Sequence, residues 1–323
     1  MKKIKLGNTD LYVTPVGLGV LTIGNTQLDL PLHEGADIVR YAWEKGINFF
    51  DTAQYYETYP YIREAFSCID MSEGSDKRPI IASKSLDASY EAMERAINEC
   101  LEALNIKTID IFKLHEVRQD PDWDYRSGAW RCLKDYKAKG VVRAIGVSTH
   151  HVDVVERMAG VPECDIVFPL INYAGLGIRK GSGTGTAEEM AAAIGKCIAA
   201  GKGVFAMKVF GGGNLTGNYM KALNYVRDLG CHSLMIGMGN KKEIDNLADY
   251  AEGRLPDDFQ PDVKFKKIHI DQGDCEGCMS CLERCPNKAI FVNRNGLADI
   301  NYSICLTCGY CAPVCPVRAI IMW

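Results

Sequence analysis

Eight cysteines near the C-terminus carry the clearest chemistry in this 323-residue chain. They are Cys275, Cys278, Cys281 and Cys285, then Cys305, Cys308, Cys311 and Cys315, in two C-x-x-C-x-x-C-x-x-x-C-P runs. Three thiolates spaced two residues apart wrap one face of a cubic iron–sulfur cluster while a fourth approaches from elsewhere, so the runs point to two 4Fe-4S clusters. A zinc ribbon would use paired C-x-x-C knuckles without third and fourth thiols in fixed register. The other six cysteines, Cys68, Cys100, Cys132, Cys164, Cys197 and Cys231, are scattered singly and read as inert buried thiols.

A second constellation is spread over the first half of the chain. Asp51 lies in FFDTAQYY, Tyr56 five residues on, Lys84 ends PIIASK and His115 ends IDIFKLH. A carboxylate, a phenol, an ammonium and an imidazole at one mouth suit proton delivery to a substrate oxygen, because a phenol becomes a usable acid beside a fixed cation. That is a carbonyl-reduction site.

These groups need elements to position them. Apolar, β-branched runs at 13–20, 47–50, 79–84, 109–114, 143–148, 165–171, 203–208 and 232–237 read as eight strands, each followed by a segment apolar at helical spacing. Eight such units predict an α/β fold, a (β/α)8 TIM barrel, in which Asp51, Lys84 and His115 fall at the strand ends where this fold places its chemistry. The leading IKLGNTDLYV is expected to form a hairpin capping one barrel end. The expected organisation is a barrel over 1–252, a linker over 253–263 and a small α+β domain holding the clusters over 264–323, with residues 275–286 and 305–316 repeating one pattern.

Residues 264–323 resemble the bacterial two-cluster ferredoxins, down to Pro286 and Pro316 after the fourth cysteines. That resemblance implies crossed ligation: Cys275, Cys278, Cys281 and Cys315 on one cluster; Cys305, Cys308, Cys311 and Cys285 on the other. Residues 1 to about 250 look like an aldo-keto reductase, whose Asp-Thr-Ala-x-x-Tyr, strand-ending Lys and strand-ending His all match. The resemblance implies Tyr56 as general acid, Lys84 lowering its pKa while held by Asp51, and His115 orienting the carbonyl. It also implies a nicotinamide across the barrel mouth. Thr22, Asp51, Ser148 and Asn172 would lie on the ring side. Lys208, Gly211, Gly212, Gly213, Gly237, Lys242 and Asn246 would lie on the phosphate side. Lys242 favours NADP(H), with NAD(H) or flavin left open. Four positions depart from the family pattern. Glu57 stands where a glycine is usual, Phe168 where many members have glutamine, and Ile236-Gly237 where a lysine-serine pair is common.

A net charge of −4 gives no single-sign field, which argues against nucleic acid or an anionic membrane as partner. No run of eighteen apolar residues exists, and Lys2 and Lys3 are not followed by an apolar signal core, so a cytoplasmic location is expected. The expected partners are a small carbonyl substrate and a redox protein docking on the cluster domain. Nicotinamides move electron pairs whereas clusters move single electrons. The fusion therefore leaves three readings: a carbonyl reductase with an attached relay, a cluster-fed reductase working through flavin, or a redox sensor. Trp123, Tyr125 and Trp130 in the 117–130 segment either wall a pocket or pack the loop on the barrel.

Overall fold

The computed structural model describes residues 1–72, 75, 77–262, 268–317 and 319–322. The chain opens with an antiparallel hairpin, β1 (Ile4–Lys5) and β2 (Tyr12–Val13). Units then alternate through β3 (Val16–Gly19), α1 (Leu32–Glu44), β4 (Phe49–Asp51), α2 (Tyr59–Ala65), β5 (Ile80–Ser85), α3 (Tyr90–Leu104) and β6 (Ile109–Leu114). Next come α4 (Asp120–Tyr125), α5 (Ser127–Ala138), β7 (Val142–Thr149), α6 (Val152–Ala159) and β8 (Ile166–Pro169). A small hairpin, β9 (Arg179–Lys180) with β10 (Gly183–Thr184), precedes α7 (Ala187–Ala199), β11 (Gly203–Ala206), α8 (Tyr219–Asp228), β12 (Ser233–Ile236) and α9 (Lys241–Ala251).

Strands β3 to β8, β11 and β12 pair in parallel and close into a barrel, β12 returning to β3 through Leu234 opposite Val16. All eight strands lie where the sequence places them, because each buries its outer face under its own helix and its inner face in the barrel. The opening hairpin caps one end as expected: Leu6, Leu11 and Val13 pack with Phe49, Ile111, Ile166 and Phe205 inside the barrel. Burying each of those phenylalanines contributes about 2 kcal/mol. Helix α4 is a turn of structure that the sequence reading left as loop. There Trp123 packs on Trp130 at 5.0 Å between ring centroids, joining loop to barrel, while Tyr125 is exposed; none of the three lines the cavity beside Tyr56.

The C-terminal part contains β13 (Ile268–Ile270), α10 (Ser280–Arg284), β14 (Ile290–Val292), β15 (Ala298–Ile300) and β16 (Ile320–Met322), with β13 pairing β16 and β14 pairing β15, both antiparallel. The expected start near Lys264 lies outside the described residues. The thirty-residue repeat reappears in the backbone: Gly277 (φ 68°) matches Thr307 (φ 43°), and Met279 (φ 63°) matches Gly309 (φ 79°). Ala289 N–H donates to Cys285 Sγ at 3.2 Å, as Ala319 N–H does to Cys315 Sγ at 3.3 Å. The core is a handful of isoleucines and alanines with Cys281 and Cys311. So small a core leaves much of the cohesion to whatever the thiols bind. Among the described residues, no helix is long and apolar enough to cross a membrane.

Candidate active site

Side chains alternate faces along a strand, so residues two apart share the barrel interior. Phe49 and Asp51, Ala82 and Lys84, and Ile111 and Lys113 are such pairs, the apolar member deeper and the polar one at the C-terminal mouth. Asp51 bridges two ammonium groups, accepting from Lys84 at 2.6 Å and from Lys113 at 2.7 Å, while Lys84 also donates to the Thr52 carbonyl at 2.7 Å. Two cations against one carboxylate, all buried, leave a surplus positive charge that desolvation opposes. Burial accordingly pushes Lys113 down to about 7, Lys84 adding to the effect and Asp51 opposing it. The Lys113 ammonium also sits 4.8 Å and 4.6 Å from the ring centroids of Phe168 and Phe205, which spreads its charge over aromatic faces.

Tyr56 closes a one-turn helix, Gln54–Tyr56, that ends because Glu57 adopts a left-handed φ of 55°. Glycine adopts this conformation without a Cβ penalty, whereas Glu57 adopts it at some cost. Here the Glu57 carboxylate is held by Asn25 at 2.7 Å. The Tyr56 hydroxyl lies 3.4 Å from His115 Nε2. Lys84 Nζ stands over the Tyr56 ring, 4.6 Å from its centroid, with its hydrogen bonds spent on Asp51 and Thr52. Burial, then the Asp51 charge, push the phenol well above its usual 10, while a hydrogen bond to Tyr310 acts in the opposite direction. Lys84 thus meets the ring face and makes no hydrogen bond to the hydroxyl, which departs from the acidifying contact expected of it. Burial, and then the cations Lys84, Arg126 and Arg284, hold the His115 imidazole well below its usual 6.5, so it is neutral. Its backbone carbonyl accepts from the buried Arg126 guanidinium at 2.7 Å, which also reaches the Ser85 carbonyl at 2.9 Å and so ties the ends of β5 and β6 together.

Four more side chains at the mouth come from the C-terminal domain. The Tyr310 hydroxyl lies 2.9 Å from that of Tyr56 and 3.3 Å from His115 Nε2. Arg284 stacks over the rings of Tyr310 and Tyr55, at 4.6 Å and 4.7 Å from their centroids, and pairs with Glu116 at 3.3 Å. Leu306 is buried in the barrel's own hydrophobic core, and the Thr307 hydroxyl donates to the Gly212 carbonyl. Gly212 has φ 72°, and a Cβ there would strike the Leu306 backbone, so glycine permits both the turn and the domain contact.

A cavity of about 220 Å³ opens beside Tyr56. Thr22, Asp51, Tyr56, Lys208, Gly212, Gly213 and Gly237 line it, and so do Phe168, Glu243, Cys308 and Tyr310. Lys84 and His115 stand behind this wall. Gly211 is buried beside it against Leu176 and Leu215. Ser148 and Asn172 are off the wall because their polar atoms are committed to backbone: Ser148 Oγ accepts from Glu116 N–H at 2.9 Å, and the Asn172 side chain holds both the N–H and the carbonyl of Leu176 at 2.9 Å. Lys242 pairs with Asp262 at 3.0 Å on the exposed surface, and the half-buried Asn246 also lies off the wall. Lys113 was legible from its two-residue offset to His115 on an inward-facing register. Tyr310, Arg284 and Glu116 had no such signal, since they meet only when two domains dock.

The donor set fits the clusters. All eight cysteines are free thiols. Cys281 is raised by burial first and then by the negative potential of Cys278, Cys275 and Cys315. Cys305 likewise feels Cys308 and Cys285. Each thiol is therefore near partners from the other run. Among the described residues, no three His, Cys, Asp or Glu side chains close on a point as a single ion would need, whereas a cubane's corners stand apart. Of the scattered cysteines, Cys100, Cys132, Cys164, Cys197 and Cys231 are buried and pushed up to about 12, so they are inert. Cys68 differs from the expectation: it is exposed, because helix α2 stops three residues before it.

A closed parallel barrel with a carboxylate, phenol, lysine and histidine at its C-terminal mouth defines an oxidoreductase-type barrel carrying an iron–sulfur module. The chain belongs to the aldo/keto reductase family, whose model matches residues 15–260, and a 4Fe-4S dicluster domain matches residues 267–316. It is 27% identical over 188 residues to L-galactose dehydrogenase of Arabidopsis thaliana, covering 55% of this chain and 59% of that protein. It is 35% identical over 58 residues to a ferredoxin of Pyrobaculum islandicum, covering 18% of this chain and 54% of that protein. The aldo-keto reductase of Bacillus halodurans, in its holo form, superposes with a TM-score of 0.62 at 18% identity, covering 79% of this chain and 92% of that one. The chain thus spans about half the length of the curated relatives it matches.

Proposed function

We propose that the chain reduces a small aldehyde or ketone with a nicotinamide cofactor, Tyr56 delivering the proton to the carbonyl oxygen. The observation that carries this reading is the Tyr56 hydroxyl on the cavity wall, 3.4 Å from a neutral imidazole and above the Lys84–Asp51 pair. A bound nicotinamide supplies the hydride. Thr22, Gly237 and Asp51 suit its ring end. Lys208, Gly212 and the amino end of α9 suit its phosphates, because a cation, a close backbone approach and a helix N-terminus favour anions; the Gly211 and Gly213 amides are spent on the Lys208 and Phe210 carbonyls. As the oxygen gains charge, the buried Lys84 cation below the phenol stabilises the proton's departure, and His115 holds the Tyr56 hydroxyl from behind the cavity wall.

The cofactor choice turns on two neighbours. Lys242, which favoured NADP(H), is paired with Asp262, and Glu243 stands on the cavity wall accepting from Gly239 N–H at 2.7 Å. A carboxylate repels a 2′-phosphate and accepts from ribose hydroxyls, so we favour NAD(H). In the cluster domain, Cys275, Cys278, Cys281 and Cys315 hold one cluster and Cys305, Cys308, Cys311 and Cys285 the other. The exposed Cys278 edge suits docking of a redox protein.

One observation favours a second reading, in which the clusters exchange electrons with the barrel site through bound flavin: Cys308 lines the same cavity as Tyr56. The decisive experiment is anaerobic turnover of an aldehyde panel with NADH and NADPH by wild type and Tyr56→Phe. Loss of turnover in the variant with cluster absorbance retained supports the first reading. Flavin absorbance in the purified protein, or pre-reduced clusters that regain their absorbance on adding carbonyl, supports the second.

A further inference from the structure

The Tyr56 hydroxyl, the Tyr310 hydroxyl and His115 Nε2 form a triangle with edges of 2.9, 3.3 and 3.4 Å. No oxygen fits within it. An oxygen capping it from one face can stand about 2.8 Å from its corners, an ordinary hydrogen-bond length. The cavity identifies that face. Tyr56 and Tyr310 line the cavity and His115 does not, so a molecule in the cavity meets two phenols with the imidazole behind them.

We propose that Tyr310, supplied by the cluster domain, is a second catalytic hydrogen-bond donor to the substrate carbonyl oxygen, so that the active site is shared between the two domains. This rests on the reading of Tyr56 as proton donor and extends it.

Proton counting supports the assignment. His115 Nδ1 is buried with no hydrogen-bond partner among the described residues, which places the ring proton on Nε2, since a bare lone pair costs less than a stranded N–H. Nε2–H then donates into the phenol oxygens, leaving each phenol its own proton to give. With the cavity empty, one phenol satisfies the other. With a carbonyl oxygen present, both turn towards it, and donation from the imidazole strengthens them. The arrangement is held from outside the triangle. Arg284 stacks on Tyr310 and Tyr55 and is anchored by Glu116, and Tyr55 Oη donates to the Tyr310 carbonyl at 3.5 Å. The cluster-domain phenol is therefore fixed by packing before substrate arrives, which is what a preorganised oxyanion site requires.

The test is Tyr310→Phe in the full, cluster-loaded chain, with 4-nitrobenzaldehyde as carbonyl probe. The ring and its stacking on Arg284 remain, and only the hydroxyl is lost. We expect kcat to fall roughly 100-fold with KM changed little, because the charge on the oxygen is greatest in the transition state. Undiminished or faster turnover would mean that Tyr310 competes with substrate, and overturns the proposal. If Tyr56→Phe retains turnover, the underlying reading fails whatever Tyr310→Phe does. If Tyr56→Phe is inactive and Tyr310→Phe is not impaired, only this inference fails. A readout independent of turnover is benzoate binding followed by calorimetry, expected about 10-fold weaker in Tyr310→Phe and overturned by equal affinity. Should the variant fail to hold its clusters, anaerobic crystals of the wild type soaked in benzoate decide. A carboxylate oxygen between the two phenols supports the proposal, and one against Tyr56 and His115 with Tyr310 displaced overturns it.

Discussion

Tyr56 and Tyr310 are separated by 254 positions in sequence, yet their hydroxyls meet at 2.9 Å inside the barrel mouth. One belongs to the catalytic barrel and the other lies between two cysteines of the cluster domain. The contact makes that domain a wall of the cavity and not a tethered appendage.

Docking of the wall depends on Arg284. Arg284→Met keeps much of the stem but loses the charge, leaving Glu116 only its pairing with Arg118 and ending two cation–ring contacts. The interface should weaken by about 2 kcal/mol. Hydrogen exchange of residues 305–311 should rise while exchange in the barrel strands stays slow. Unchanged protection in that loop would show that Leu306 and the Gly212 contact suffice.

The surplus charge around Asp51 gives a pH signature. Lys113 is near 7 in the fold and 10.5 when free, so it opposes folding wherever the unfolded chain binds its proton and the fold does not. Stability present above 10.5 is therefore lost as pH falls towards 7, at up to about 1.4 kcal/mol per pH unit. Lys113→Met should flatten that slope between pH 7.5 and 9.5 in anaerobic urea unfolding. A slope identical to wild type would assign the surplus proton elsewhere.

Crossed ligation predicts which variants look alike. Cys285→Ser should give the same residual electron paramagnetic resonance signal as Cys308→Ser, and Cys315→Ser the same as Cys278→Ser, each with roughly half the iron. Pairing by run, with Cys285 matching Cys278, would contradict the assignment. Complete chelation should unfold the small domain and leave the barrel's circular dichroism largely intact, since the barrel buries its own core.

Cofactor choice is testable at one carboxylate. Glu243→Gln removes the negative charge from the cavity wall and should tighten NADPH roughly 10-fold relative to NADH, as seen by fluorescence titration. Lys242→Ala should alter neither, given its exposed pairing with Asp262. A large loss of NADPH affinity in Lys242→Ala would restore the NADP(H) reading.

Local pattern made much of this molecule legible from sequence. Eight apolar runs alternating with helical segments dictated the barrel, because each strand and helix must bury the face its periodicity presents. The register along β4, β5 and β6 put Asp51, Lys84 and His115 at one mouth, and even Lys113 follows from it. The cysteine spacings fixed the chemistry of the second domain by the geometry of thiolate around iron and sulfur. Tertiary structure decided the rest. Whether Lys84 meets the oxygen or the ring of Tyr56, which polar groups are spent on backbone, and that Tyr310, Arg284 and Cys308 reach the cavity all depend on long-range docking. Such contacts leave no periodic trace, since they are set by how two separately folded surfaces fit together.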